Sequence, residues 1–186
     1  MPPPSPKDLE DLDFPSLLGA GAPGVEPVPR SAAIANQGLI GEQSLQRDGY
    51  HVVVARARSD ARYKGSYVLI VEDDDDTAAL AARALENGGY TTARAGDAPE
   101  TARRLSERGI PALIFLDVEL PGIDGFKMLA QLRAHQKLAS TPVVMFTSRR
   151  TREDVIRGLT LGADGYVAKP VSPRTLLEVV AKVLGT

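Results

Sequence analysis

Short apolar runs recur from Tyr67 onward, each closed by a polar residue and followed by a stretch with helical spacing. Val68-Leu69-Ile70-Val71 runs into Glu72-Asp73-Asp74. Leu113-Ile114-Phe115-Leu116 runs into Asp117, then Val118-Glu119-Leu120 and the turn signal Pro121-Gly122. Val143-Val144-Met145-Phe146 runs into Thr147-Ser148, and Gly165-Tyr166-Val167-Ala168 into Lys169-Pro170. Apolar runs of this length, rich in β-branched and aromatic residues, read as strands buried on both faces. The pattern predicts strands over 67–71, 90–94, 112–116, 143–146 and 165–168. It predicts helices over 76–87, 98–108, 124–135, 151–161 and 173–184. Ala78, Ala81, Ala82 and Leu85 form one apolar stripe; Leu176, Leu177, Val180, Val183 and Leu184 form another. Asp97 with Glu100 has capping-box spacing around Pro99, and Ser172-Pro173 is a second helix start. Gly88, Gly109 and Gly162 sit just past three helix ends, where a positive φ is expected. Five strands alternating with five helices predict an α/β fold, a doubly wound parallel sheet covered on both faces.

The first third of the chain does not follow this rhythm. Most of the fourteen prolines precede Arg30, beside several glycines and an acidic excess. Residues 1–36 therefore read as a disordered, Pro-rich tail. Leu9, Leu12, Phe14, Leu17 and Leu18 offer one helical turn or a docking peptide, but so short a helix is marginal alone. Residues 37–66 form an extension of uncertain structure, with a short helix over Gly41–Arg47 and a strand over Tyr50–Ala55. Arg56, Arg58, Arg62 and Lys64 make its end basic, which reads as a solvated face or, less favoured, as a contact for an acidic partner or nucleic acid. An echo of Leu45, Gly49 and Tyr50 in Leu85, Gly89 and Tyr90 is too sparse to establish a repeat.

Composition narrows the chemistry. The 186 residues carry a formal net charge of −2, with 43% hydrophobic and 25% charged residues, as in a soluble globular protein. There is no cysteine, which excludes disulfides and thiolate chemistry, and His51 and His135 are the only histidines. His135 reads as a surface residue and not a ligand. No apolar run reaches membrane-spanning length and the N-terminus carries no secretory pattern, so a cytoplasmic location is expected. The near-neutral charge gives no electrostatic case for nucleic-acid binding.

In a parallel sheet the carboxyl ends of all strands lie on one edge, where open α/β sheets build their sites. Glu72-Asp73, Asp117, Thr147 and Lys169 all fall there. Clustered carboxylates without histidine or cysteine suit a hard, oxygen-seeking cation such as Mg²⁺. A lysine and a hydroxyl facing them suit an anion with several acceptor oxygens. Together they suggest phosphoryl transfer, with Asp117 as covalent acceptor. Each residue also has a plainer reading as a cap or a solvated strand end. Asp124 and Asp164 are assigned to turns or helix caps, and Asp74, Asp75 and Asp76 to a solvated helix start favoured by its dipole.

The stretches VLIVEDDDD, LIFLDVELPGIDG, VVMFTS and GADGYVAKP, taken as a set, resemble the receiver domain of two-component response regulators, the chemotaxis-protein-like fold. The resemblance covers residues 67–186. It implies a flavodoxin-like five-stranded sheet of order 2-1-3-4-5 with an N-terminal extension. It implies that Asp117 accepts a phosphoryl group from a sensor histidine kinase or a histidine phosphotransfer protein. Glu72, Asp73 and Asp117 match the metal-binding acids, and Glu119 falls where the family lends a backbone carbonyl to the metal. Thr147 matches the switch hydroxyl, Tyr166 the switch aromatic and Lys169 the site lysine. Pro170 matches a proline often preceded by a cis bond.

The sequence thus reads as a single-domain response regulator that signals through phosphorylation-dependent binding of an output protein or through a homodimer. It is expected to catalyse only its own modification. One rival is a receiver fold acting as a phosphorylation-independent interaction module. A second is a phosphatase with an aspartate nucleophile, for which Glu119 stands where an aspartate general acid is wanted.

Overall fold

The computed structural model describes residues 51–53, as backbone, and residues 67–185. The expected tail over 1–36 and the expected helix over Gly41–Arg47 lie outside the described residues. The elements are β1 (His51–Val53), β2 (Val68–Val71), α1 (Asp75–Asn87), β3 (Thr92–Ala95), α2 (Ala98–Arg108), β4 (Leu113–Leu116), β5 (Glu119–Leu120), β6 (Ile123–Asp124), α3 (Gly125–Ala134), β7 (Val143–Thr147), α4 (Arg152–Thr160), β8 (Gly165–Ala168) and α5 (Pro173–Leu184).

The main sheet has the order β1-β8-β7-β4-β2-β3. Its five members from β2 to β8 are parallel, and numbered among themselves they follow the expected 2-1-3-4-5. The five-stranded parallel sheet is as expected, and one strand is added to it. A sixth strand, β1, lies antiparallel on the β8 edge and comes from the segment expected as Tyr50–Ala55. Apolar runs reveal buried parallel strands, but nothing in so short a run says which edge will receive it.

Alternation along each strand sends successive side chains to opposite faces. Leu69, Val71, Ile114, Leu116, Met145 and Tyr166 meet α2, α3 and α4. Val68, Ile70, Leu113, Phe115, Val144, Phe146 and Val167 meet the stripes of α1 and α5. The central strands β2, β4 and β7 are buried at every position, which is why they read as unbroken apolar runs.

Helix starts follow the sequence closely. Asp97 accepts from the Glu100 N–H at 2.7 Å, Ser172 from Thr175 and Asp74 from Thr77. Glu100 reaches back to the Gly96 N–H at 2.9 Å, one residue earlier than the usual box. That bond, ahead of Arg104 and Arg103, holds the Glu100 carboxyl below its ordinary value.

Helix ends follow it less closely. Gly109 and Gly162 take the positive φ expected of them, but Gly88 has φ −84° and Gly89 takes the left-handed turn at 86°. Gly88 is small for a different reason: a Cβ there would lie 2.2 Å from the Leu177 side chain of α5. Asp164 also differs from a simple cap, for it accepts from Arg133 and from the Val143 N–H and ties α3 to the start of β7. His135 ends α3 half-buried, its Nδ1 accepting the Lys137 N–H; burial and then Lys137 lower its pKa.

Candidate functional site

Three strands of the parallel sheet deliver the site. β4 ends at Asp117, whose N–H donates to Val71 O on β2 at 3.0 Å. The Asp117 carboxylate turns back on its own chain: Oδ1 accepts the N–H groups of Val118 at 2.6 Å and Glu119 at 3.2 Å. Oδ2 accepts from Lys169 Nζ at 2.6 Å. Four per cent of Asp117 is exposed, so this carboxylate is held in one orientation by groups that have no other solvent to turn to.

The turn beyond Asp117 was only partly legible. Pro121 and Gly122, with φ 79° at Gly122, close a two-residue hairpin between β5 and β6, a small sheet absent from the expected elements. Asp124 then caps α3 by accepting from Phe126 and Lys127. Gly125 donates to Val118 O at 2.9 Å. A Cβ on Gly125 would lie 2.0 Å from Asp117 O. The close seat of α3 on the acceptor turn thus depends on a glycine that sequence reading passed over.

β2 delivers Glu72 and Asp73. Glu72 is buried and Asp73 exposed. β8 delivers Lys169, joined to Pro170 by a cis bond as the resemblance implies. The Lys169 ammonium forms ion pairs with both Glu72 and Asp117. Burial raises the Glu72 pKa, Lys169 partly offsets this and the neighbouring Asp117 charge adds to it. Oxygens of Glu72, Asp73 and Asp117 lie within 4.8 Å of one another. Two of these three carboxylates share one ammonium, leaving net negative charge in a partly desolvated cleft. An all-oxygen donor set of this charge and spacing fits a hard divalent cation.

Of the other expected residues, Glu119 meets the Asp117 carboxylate through its backbone N–H, while Thr147 and Tyr166 find partners in the loop beyond β7. Thr147 ends β7, fully buried, and its hydroxyl accepts the Arg149 N–H at 3.3 Å. Among the described residues no hydrogen bond joins that hydroxyl to Asp117 or Lys169; the Lys169 N–H donates instead to the Thr147 backbone carbonyl. Tyr166 is fully buried, and its hydroxyl donates to Arg149 O at 3.0 Å. Burial first, then the charges of Asp154 and Asp117, raise its pKa against Arg149. Glu119 is exposed and its carboxylate lies 3.7 Å from Arg149 Nε. Arg149 and Arg150 were missed by sequence reading, although they directly follow the Thr147-Ser148 strand end. Arg149 links Glu119 to Asp154, and the Arg150 guanidinium donates to Lys169 O. Gly158 was missed too. It lets α4 pack on the Tyr166 ring, where a Cβ would come within 3.2 Å.

Comparison with known proteins agrees with this geometry. The family model of the response regulator receiver domain matches residues 68–181. The chain belongs to that family. It is 36% identical over 120 residues to the transcriptional regulatory protein GltR of Pseudomonas aeruginosa, covering 64% of this chain and 49% of GltR. It is 41% identical over 116 residues to the alkaline phosphatase synthesis transcriptional regulatory protein PhoP of Bacillus subtilis, covering 62% and 46%. The chain therefore spans about half the length of the curated relatives it matches. Among solved structures, Vibrio cholerae chemotaxis protein CheY4 aligns at a TM-score of 0.59 with 29% identity, covering 64% of this chain and 98% of that one. The receiver domain of sensor histidine kinase PA1611 from Pseudomonas aeruginosa, which holds a magnesium ion in its active site cleft, aligns at 0.59 with 25% identity, covering 66% and 99%. Receiver domains are signalling domains of two-component systems, and the Glu72, Asp73, Asp117 cluster of this one has the donors and spacing to hold a divalent cation. No helix among the described residues is long and apolar enough to cross a membrane.

Proposed function

We propose that Asp117 is the phosphoacceptor of this chain, that its donor is a phosphohistidine on a sensor kinase or phosphotransfer protein, and that the phosphorylated form signals by binding an output partner. The observation that carries the reading is the Asp117 carboxylate itself, buried, fixed by two backbone N–H groups and ion-paired to Lys169. Fixing a nucleophile removes much of the entropic part of a barrier. In the transfer, the bond from phosphorus to the donor nitrogen breaks and its electron pair stays with the nitrogen. An Asp117 oxygen forms the new P–O bond. Oδ1 already accepts two N–H groups, whereas Oδ2, with Lys169 as its one hydrogen-bond partner, keeps a lone-pair direction for the attack.

Glu72, Asp73 and Asp117, with the Glu119 backbone carbonyl, would hold Mg²⁺, which when bound supplies positive charge against the phosphoryl oxygens. Lys169 holds one of those oxygens and the Thr147 hydroxyl turns to another. Tyr166, beneath Arg149, carries the change toward α4 and α5 as a shift in a pre-existing balance. Residues 67–186 are the phosphoaccepting unit in this reading, working in the cytoplasm.

The test is direct. Incubation with a small acyl phosphate and Mg²⁺ should add one phosphoryl group by intact mass, in an alkali-labile linkage. The addition should vanish in Asp117→Asn and on chelation. Labelling of Asp117→Asn at the parent level moves the acceptor to another residue. An intact parent that never labels favours the phosphorylation-independent interaction module.

The metal assignment makes a separate prediction. A cation that binds only the folded chain raises its thermal midpoint, as RT ln(1 + [L]/Kd) requires. Saturating Mg²⁺ should raise the midpoint of the parent by a few degrees, on the order of 1 kcal/mol. Asp73→Ala, which removes an exposed ligand and leaves the core alone, should show no rise. Equal rises in both proteins remove Asp73 from the metal site.

A further inference from the structure

One described strand stands outside the alternating pattern. β1 pairs antiparallel with β8, setting His51 opposite Val167, Val52 opposite Tyr166 and Val53 opposite Gly165, and it also lies against α5. The family match begins at residue 68, so the receiver fold is complete without it. β8 would otherwise be the bare edge of the parallel sheet. Its residues Gly165-Tyr166-Val167-Ala168 carry no charge, and an uncharged open edge is a template for another strand.

The register places β1 on a particular residue. Backbone groups of successive strand residues point to alternate edges. The Lys169 N–H faces β7, where it donates to Thr147 O at 2.9 Å. Three residues back, the N–H and C=O of Tyr166 therefore face the other edge, toward Val52. Tyr166 is the buried aromatic whose hydroxyl holds Arg149 O. Directly beyond β8, Lys169 grips Glu72 and Asp117 by its ammonium, while its carbonyl accepts from Arg150. β8 is thus tied along one edge to β1 and at its end to the acceptor carboxylates.

We propose that residues 51–53 are an in-chain strap for the β8 edge and that their seating is linked to the state of Asp117. The linkage rests on the phosphoacceptor reading above; the seating does not. A phosphoryl group on Asp117 gives the Lys169 ammonium a new anionic partner and adds charge beside Glu72. The anchor at the end of β8 is then no longer the one on which the strap is seated. A three-residue strand makes few ladder bonds, so a small change at that anchor shifts its seating far. Modification of Asp117 loosens the strap and bares the β8 edge.

Residue-resolved amide exchange on the full chain tests both halves. The Tyr166 amide, facing β1, is read against the Val167 amide, facing β7. Val52→Pro removes the N–H that faces Tyr166, so the Tyr166 amide should exchange roughly tenfold faster or more while Val167 keeps its protection. Val53→Pro removes an N–H that points away from β8 and should leave Tyr166 protected. If the Tyr166 amide exchanges as fast in the parent as in Val52→Pro, the strap is not seated.

For the linkage, the parent is held in excess acetyl phosphate with Mg²⁺, and intact mass confirms the adduct. The Tyr166 amide should then exchange roughly tenfold faster, with Val167 unchanged. A confirmed adduct with unaltered Tyr166 protection overturns the linkage alone. Absence of any adduct overturns the acceptor reading and the linkage with it, while the proline variants still decide the seating.

Discussion

Lys169→Ala is expected to cost about 3–5 kcal/mol of stability, the range for removing one partner of a buried ion pair. Among the described residues the lysine is the single ammonium between Glu72 and Asp117, each only 4% exposed. Without it two buried carboxylates face each other with no cation between them. Three ways of lowering that repulsion should each return part of the loss. The first is Glu72→Gln placed in the Lys169→Ala background, read as a double-mutant cycle. The second is Mg²⁺, which should raise the midpoint of Lys169→Ala by more than it raises the parent.

The third is acid, and its sign follows from Glu72. Burial already lifts the folded Glu72 pKa above its ordinary 4.5, with Lys169 holding it down. Removing Lys169 lifts it further. The unfolded chain then gives up the Glu72 proton at lower pH than the folded chain does. Stability is greatest below the unfolded value and falls as pH rises through the folded one. The deficit of Lys169→Ala against the parent should therefore be smaller at pH 5 than at pH 8 in urea titrations. An equal deficit at both pH values, untouched by Glu72→Gln, would show that the lost lysine mattered through packing and not through charge.

That the site could be read ahead of the structure has a simple cause. A parallel sheet brings every strand's carboxyl end to one edge, so residues far apart in sequence share a position defined by local pattern alone. Glu72, Asp117 and Lys169 each directly follow an apolar run, and the topology does the rest. The same logic placed Thr147 at the end of β7, but it could not say what its hydroxyl touches. That depends on the path of the loop beyond it, where Arg149 turns its N–H back on Thr147. Loop paths are set by long-range partners that leave no periodic trace. Glu119 with Arg149 and Arg150 with Lys169 O are such partners, and neither pair was foreseen. β1 shows the same limit from the other side. A strand could be expected at Tyr50–Ala55, yet its pairing with β8 is a contact between distant segments. Glycines mark the boundary well. Gly109 and Gly162 follow from helix-end chemistry, whereas Gly88 and Gly125 are dictated by neighbours that only the fold supplies.

Gly125→Ala should be the most damaging single methyl group that can be added near the site. In an exposed helix interior the change from glycine to alanine favours the helix by about 1 kcal/mol. Here the added Cβ would lie 2.0 Å from Asp117 O, 2.7 Å from Val118 Cα and 2.8 Å from Asp117 C. All three are backbone atoms, so no side chain can swing aside. Either α3 lifts off the turn, opening the contacts of Phe126 and Leu129 with the core, or Asp117 and Val118 move. Overpacking of this kind costs about 1–3 kcal/mol and more where backbone must shift, and about 3 kcal/mol is expected. Gly122 is the control. Its φ of 79° makes alanine strained, but no atom lies within 4 Å of a Cβ there, so only about 1–2 kcal/mol is expected. The two variants should also differ in a readout that stability does not set. At a temperature where both are folded, Gly125→Ala should label slowly with acyl phosphate, because the carbonyl and the carboxylate of Asp117 share one backbone. Gly122→Ala should label at close to the parent rate. If Gly125→Ala melts within a degree of the parent and labels normally, α3 does not set the position of Asp117.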